Sequence, residues 1–272
     1  MPVIITATDY SDIADKAVNY ACQMALSYSA SVTIIHSFII PIAFGDTPIP
    51  AIPFEEGRRL AEDRMHEYVQ QLRVLYPDLA ITSDVMYGDI VDCLQEYTEQ
   101  HTPWLVVLGN SEKEDSIWTG NIILHALRTL KYPVIAIPPG AVYRPVKKIC
   151  LATDIRNIDQ TFPYEHLLAL VNTTKAALHV LNAGQGKEIH ENTVMETEHL
   201  HMYLSEVHPQ YHFIETNDID AGINSFVEKS EMDWLVVIPH KHSFFEGLFH
   251  KSHTKAMARI SNIPLIALHE KE

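Results

Sequence analysis

The stretch Trp104-Leu105-Val106-Val107-Leu108-Gly109 returns later in the chain as Trp234-Leu235-Val236-Val237-Ile238-Pro239. A short, Val-rich aliphatic run of this kind reads as a strand buried on both faces. Its recurrence reads as a duplication. Upstream, Ile5-Thr6-Ala7-Thr8-Asp9 matches Cys150-Leu151-Ala152-Thr153-Asp154. Downstream, Tyr132-Pro133-Val134-Ile135-Ala136-Ile137 matches Ile263-Pro264-Leu265-Ile266-Ala267-Leu268. Three anchors in the same order predict two units fused head to tail, 1–140 and 146–272. The turn-rich segment Pro138-Pro139-Gly140-Ala141-Val142-Tyr143-Arg144-Pro145 joins them.

Asp9 and Trp104 are 95 positions apart and Asp154 and Trp234 are 80 apart, so the first copy carries about 15 extra residues. The four-proline segment Pro41–Pro53 accounts for most of them, because proline disfavours helix and central strand. It reads as a loop after the second strand, a lid or a contact surface.

Around the anchors the pattern alternates. Strands are predicted at Val3–Ala7, Val32–Ser37, Ile81–Met86, Leu105–Leu108 and Val134–Ile137. Helical spacing fills Ser11–Ala30, Glu55–Tyr76, Asp89–Glu99 and Asn121–Leu130. The second copy repeats the strands at Ile149–Ala152, Ala177–Leu181, Tyr211–Glu215, Trp234–Ile238 and Leu265–Leu268, with a helix at Glu196–Val207. Apolar runs separated by helices predict an α/β protein of two tandem doubly wound units, each with a five-stranded, mainly parallel sheet.

The chain has 272 residues, 47% of them hydrophobic, with 35 acidic against 20 basic side chains and a formal charge of −15. That balance opposes general nucleic-acid binding, which draws its affinity from basic residues. No apolar run reaches the roughly 20 residues needed to span a bilayer, and the start has no signal-peptide pattern. Cys22, Cys93 and Cys150 form no CxxC pair and lie in apolar patterns, so they read as buried hydrophobes in a reducing cytoplasm.

In a doubly wound sheet, ligands gather beyond the carboxyl ends of the strands where strand order reverses. Asp9 follows the first strand and Gly109 the fourth, and Gly120-Asn121 opens the next helix, whose free amides suit phosphate. Asp9-Tyr10-Ser11, Gly109 after the fourth strand, and Tyr132-Pro133-Val134 together resemble the universal stress protein family, over nearly the whole chain and twice. The resemblance implies a fold of the adenine nucleotide α-hydrolase type and a non-catalytic, stress-responsive or ligand-sensing protein. In nucleotide-binding members a strand-one Asp contacts adenine, and a loop of form G-x2-G-x9-G-[ST] follows strand four. By that resemblance Asp9 is the adenine contact and Gly109, Gly120 and Asn121 line the phosphate path of ATP or another adenine nucleotide. The family's units dimerise through their last strands, which fusion would supply inside one chain as a pseudo-dimer; a homodimer of the whole chain is compatible with it.

The sequence departs from that loop. Glu112 stands at the second glycine, Gly120 comes two residues early, Asn121 replaces the hydroxyl residue, and Glu114 and Asp115 add negative charge. In the second copy Pro239 and His242 replace the glycines, and Lys251-Ser252 stands where the first has Gly120-Asn121. Asp154 is the counterpart of Asp9; Lys251 offers a charge to an anion and Ser252 a helix cap. Asp9 and Asp154 also read as helix caps, and Gly109 and Gly120 as structural turns. His240, His242, His250 and His253 cluster without the spacing of a metal site. No GxSxG, HExxH or P-loop motif occurs, so no catalytic residue is assigned and ATP hydrolysis is the weakest reading. The alternative to a nucleotide-binding first copy is an interaction module that binds no nucleotide, for which the aromatic segment Ser243–Phe249 offers an apolar surface.

Overall fold

The computed structural model describes residues 1–40, 53–110, 120–153, 162–184, 191–238 and 263–269. By compactness the chain divides into Met1–Leu108 and Gly109–Glu272. It is a mixed α/β protein with mostly parallel strands.

The first unit opens with β1 (Val3–Ala7), then α1 (Asp12–Ser27), β2 (Ser31–Phe38), α2 (Phe54–Leu75), β3 (Ile81–Tyr87), α3 (Ile90–Gln100) and β4 (Leu105–Gly109). The strands lie in the order β3-β2-β1-β4, all parallel. The chain steps outward from β1 to β3 and then returns to the other side of β1. Crossovers of this kind are right-handed, which puts α1 and α2 on one face and α3 on the other. Leu105–Gly109 is buried throughout. α1 turns small residues inward, with Ala14, Ala17, Ala21 and Ala25 all buried, so its backbone lies close to the sheet. α2 buries only Ala61, Met65, Val69 and Leu72, one narrow stripe at helical spacing. Gly88, just before α3, has φ +131°, a conformation that side chains with a Cβ rarely adopt.

The second unit holds α4 (Gly120–Thr129), β5 (Val134–Ile137), β6 (Lys148–Ala152), α5 (Tyr164–Thr174), β7 (Ala177–Gly184), α6 (Glu191–Leu204), a 3-10 turn at Ser205–Val207, β8 (Gln210–Glu215), α7 (Ile219–Lys229), β9 (Trp234–Val237) and β10 (Leu265–Ala267). Its strands run β5-β10-β9-β6-β7-β8. All neighbours are parallel except β5 and β10, which pair antiparallel with Ile266 opposite Ile135. β5 ends the first sequence copy, yet it groups with the second compact unit because of this pairing with β10. The helix predicted at Glu196–Val207 begins at Glu191 and ends at Leu204, where the chain tightens into the 3-10 turn.

The duplicated tryptophans are not structural equivalents. Ile4 pairs with Leu105, whereas its counterpart Ile149 pairs with Trp234. Backbone bonds agree: Trp104 N–H donates to Val3 and Asp233 N–H to Lys148. Trp104 therefore precedes its strand, while Trp234 lies inside β9 with no exposed surface. A one-residue slip moves every side chain to the opposite face of a strand, so burial enforces each register separately. By this register Ile238, not Pro239, takes the place of Gly109. Pro239 itself lies outside the described residues.

Candidate functional site

The polar residues of the first unit converge just beyond β1. Thr8 is buried, and its amide donates to the Ile35 carbonyl, extending the β1–β2 ladder. Its hydroxyl accepts from the Tyr10 amide at 2.9 Å, and the Asp9 Oδ1 accepts from the Ser11 amide at 2.9 Å. Side-chain oxygens thus replace ladder partners through the turn, as short polar side chains do. Tyr10 takes φ 63°, left-handed and uncommon for a side chain of its size. Ser11 then caps α1, its Oγ accepting from the Ala14 amide at 3.3 Å.

Asp9 is therefore not the helix cap; that role belongs to Ser11. Asp9 instead holds the turn through Oδ1, and no described residue bonds its Oδ2. Asp9 is half-buried.

Three further side chains, His36, Arg64 and Tyr68, pack against Thr8 and Tyr10 of the same turn. His36, the sixth residue of β2, places its Nδ1 2.8 Å from the Thr8 carbonyl. A carbonyl only accepts, so Nδ1 carries the hydrogen and Nε2 of the neutral ring is a bare acceptor. Burial is the main cause holding His36 below its ordinary pKa; the Arg64 charge adds to this, while the Thr8 bond and Asp9 oppose it. Arg64, on the exposed side of α2, lies with its guanidinium carbon 4.0 Å from the Tyr10 ring centroid. It forms no ion pair among the described residues. Burial pushes the Tyr10 phenol up to about 12, with Arg64 opposing. The Tyr10 hydroxyl is buried with no described partner. Tyr68 meets Tyr10 edge-on at 5.4 Å and donates to Asp15 Oδ1 at 2.7 Å, which fastens α2 to α1 beneath the turn.

The structure places Asp9 directly after β1, as its sequence position implies, and brings to the same turn Arg64, His36 and the Tyr10 hydroxyl, which the sequence pattern does not single out. Positive φ at Tyr10 has no sequence mark, and Arg64 reaches the turn from a helix far along the chain. Gly109 is the last, buried residue of β4, and Asn110 beyond it donates to the Ile137 carbonyl at 2.8 Å. Gly120 and Asn121 begin α4. Compactness assigns Gly109, Gly120 and Asn121 to the second unit and Asp9 to the first. Asp154, Lys251 and Ser252 lie outside the described residues, as do the histidines at 240, 242, 250 and 253, the Pro41–Ile52 stretch and the Phe244 segment. Among the described residues no group of three or more His, Cys, Asp or Glu could hold a metal ion. No described helix is long and apolar enough to cross a membrane.

A groove of about 630 Å³ lies in the second unit, lined among others by Arg144, Lys147, Lys148, Glu228 and Asp233. It sits at the amino end of β6, the end away from which ligands of such sheets gather. Two of its charges are already committed. Asp233 accepts from the Lys147 and Lys148 amides at 2.7 and 3.0 Å, and the Lys148 ammonium donates to the Ser230 carbonyl at 2.8 Å.

No protein-family model matches the chain, and no curated protein matches it. Solved structures do. A universal stress protein from Archaeoglobus fulgidus DSM 4304 superposes with TM-score 0.71 at 14% identity, covering 98% of each chain. A putative universal stress protein from Pseudomonas aeruginosa UCBPP-PA14 does so with TM-score 0.60 at 14% identity, covering 99% of this chain and 94% of the other. Identity this low speaks for architecture alone, and the coverage extends that architecture over both copies: the chain has the fold of the universal stress proteins.

Proposed function

We propose that the chain is a non-catalytic, ligand-sensing protein of the universal stress type whose first copy takes an adenine nucleotide beyond the carboxyl end of β1. The observation that carries this reading is the Asp9 carboxylate, whose Oδ1 is held by the Ser11 amide while no described residue bonds its Oδ2. The same turn has a bare imidazole acceptor at His36 and, over the Tyr10 ring, the Arg64 cation, which forms no ion pair among the described residues. Such a set suits a ligand with amino donors at one end and negative charge at another. An adenine nucleotide has both.

Asp9 takes the base in this reading. Gly109, Gly120 and Asn121 keep the phosphate path that the family resemblance gives them, and Asp154, Lys251 and Ser252 form its divergent counterpart. The three cysteines, scattered and without a CxxC pair, support a reducing cytoplasm as the compartment of the chain.

Equilibrium binding of ATP, ADP and AMP to the intact chain tests it, with Asp9→Ala and Gly109→Pro alongside. Binding that is lost in both folded variants supports the site. No binding at millimolar nucleotide overturns it.

A second reading, an interaction module that binds no nucleotide, has its own observation. Phe38, Phe54 and Tyr87 form a triangle with ring centroids 5.3–5.8 Å apart, and Phe54 and Tyr87 remain 44% and 54% exposed. Large aromatic side chains left this open are what partner surfaces use. Failure of nucleotide binding leaves this reading standing.

A further inference from the structure

In the second unit, His179 of β7 and His212 of β8 face each other with Nδ1 of the first 3.0 Å from Nε2 of the second. Their ring centroids are 5.2 Å apart and their planes differ by 21°. The centroid distance exceeds the nitrogen distance by about two imidazole radii, so the two nitrogens point head-on along the line of centres. That is the geometry of one N–H···N bond. It does not suit a shared divalent ion, whose ligand lone pairs converge from an angle.

Proton counting fixes what the pair can do. Two neutral rings hold two hydrogens on four nitrogens: one lies between the rings and one on an outer nitrogen. A third hydrogen goes to the remaining outer nitrogen, and the inner bond survives. A fourth has to enter between the rings, where two N–H groups would meet at hydrogen-bond distance. The pair therefore takes one extra proton intact and a second only by separating.

The surroundings oppose charge further. His179 is almost fully buried, and among the described residues Lys148 of β6 adds a positive charge that acts on it. α7 presents Phe226 against His212, ring centroids 4.8 Å apart. On the other face of β8, Tyr211 meets His201 of α6 at 3.4 Å. Burial holds both rings of the pair below their ordinary pKa.

The location gives the bond its consequence. Among the described strands β8 stands at the sheet edge and pairs with β7 alone, from His179 opposite Gln210 to Gly184 opposite Glu215. We propose that His179 and His212 form a pH-sensitive clasp that fastens the edge strand β8 to β7 and loosens it when both rings become charged. This goes beyond nucleotide binding and does not depend on it.

Imidazole nitrogen NMR on the full chain, titrated from pH 8 to 4.5, tests the clasp. The two rings are expected to protonate in two steps at least about one pH unit apart, as coupled groups do. Amide exchange in Tyr211–Glu215, measured against Cys150–Ala152 in the same sample, should accelerate across the second step. His212→Gln should leave His179 with a single step and abolish the acceleration. If that variant does not fold, the wild-type titration still decides. Independent titration of both rings near the ordinary value of about 6.5, with unchanged relative exchange in β8, overturns the proposal.

Discussion

The Arg64 guanidinium lies 4.0 Å over the ring of Tyr10, a residue held at φ 63° directly after Asp9. The cation thus covers the one strained residue of the turn, and its attraction to the ring face helps hold that residue in place.

Arg64→Ala should destabilise the chain by about 0.5–1 kcal/mol, the scale of a cation–π contact at an exposed site. Arg64→Lys should recover part of this, because an ammonium is attracted to the ring but lacks the planar stacking surface. Urea unfolding of the three proteins measures the difference. In the nucleotide reading, Arg64→Ala also weakens ATP more than adenosine, since the cation acts on the anionic part.

Asp9 and Ser11 should separate cleanly. Ser11→Ala removes the Oγ that accepts from Ala14 and should cost about 1 kcal/mol without changing nucleotide affinity. Asp9→Asn preserves an acceptor for the Ser11 amide but turns a donor toward the position of Oδ2. Stability should change little, and nucleotide binding should fall. Thermal unfolding and calorimetric binding on both variants distinguish a structural Asp9 from a ligand-binding one.

The different registers of the two copies make a further measurable difference. Trp234 has no exposed surface within β9, and truncation of such a side chain costs about 3–5 kcal/mol. Trp104 lies outside β4, its ring edge-on to Tyr28 at 5.5 Å and only partly covered. Trp104→Ala should therefore cost clearly less than Trp234→Ala in matched denaturant experiments. Equal losses would contradict the register.

Much of the architecture was legible because burial on both sheet faces writes itself as aliphatic runs. Val3–Ala7, Leu105–Leu108 and Val134–Ile137 are strands for that reason, and the stripe through Ala61, Met65, Val69 and Leu72 marks α2. The start of α6 was missed because Glu191-Asn192-Thr193 offers no apolar periodicity. The tryptophan match misled because a shift of one residue leaves composition untouched while exchanging which side chain faces which neighbour. Asp9 was visible from its position after an apolar strand. Arg64 and His36 were not, since their relation to Tyr10 is created by tertiary packing across β2 and α2.

Cys22 and Cys150 are pushed up to about 12 and Cys93 to about 11 by burial, and all three are free thiols. Thiolate is the reactive form, so almost none is present near neutral pH. A colorimetric thiol reagent at pH 8 should leave all three unmodified in the native chain and label all three in denaturant. Rapid labelling of one cysteine in the native chain would show an opening of its surroundings.

Acid should weaken the first unit through His36. Its folded pKa is lowered mainly by burial, against about 6.5 in the unfolded chain. As pH falls below that unfolded value, the unfolded state binds the proton first, so stability declines. The decline ends once pH passes below the folded pKa, where both states are charged. His179 and His212 contribute with the same sign, their pKa values being lowered as well. The wild-type chain should therefore lose stability progressively from pH 7 toward pH 5 in denaturant unfolding. His36→Gln retains a side-chain donor for the Thr8 carbonyl but does not titrate. Its stability should depend less steeply on pH over that range, with the residual slope belonging to the histidines of the second unit. An unchanged slope would mean that His36 titrates alike in the folded and unfolded states, and that burial does not exclude its charged form.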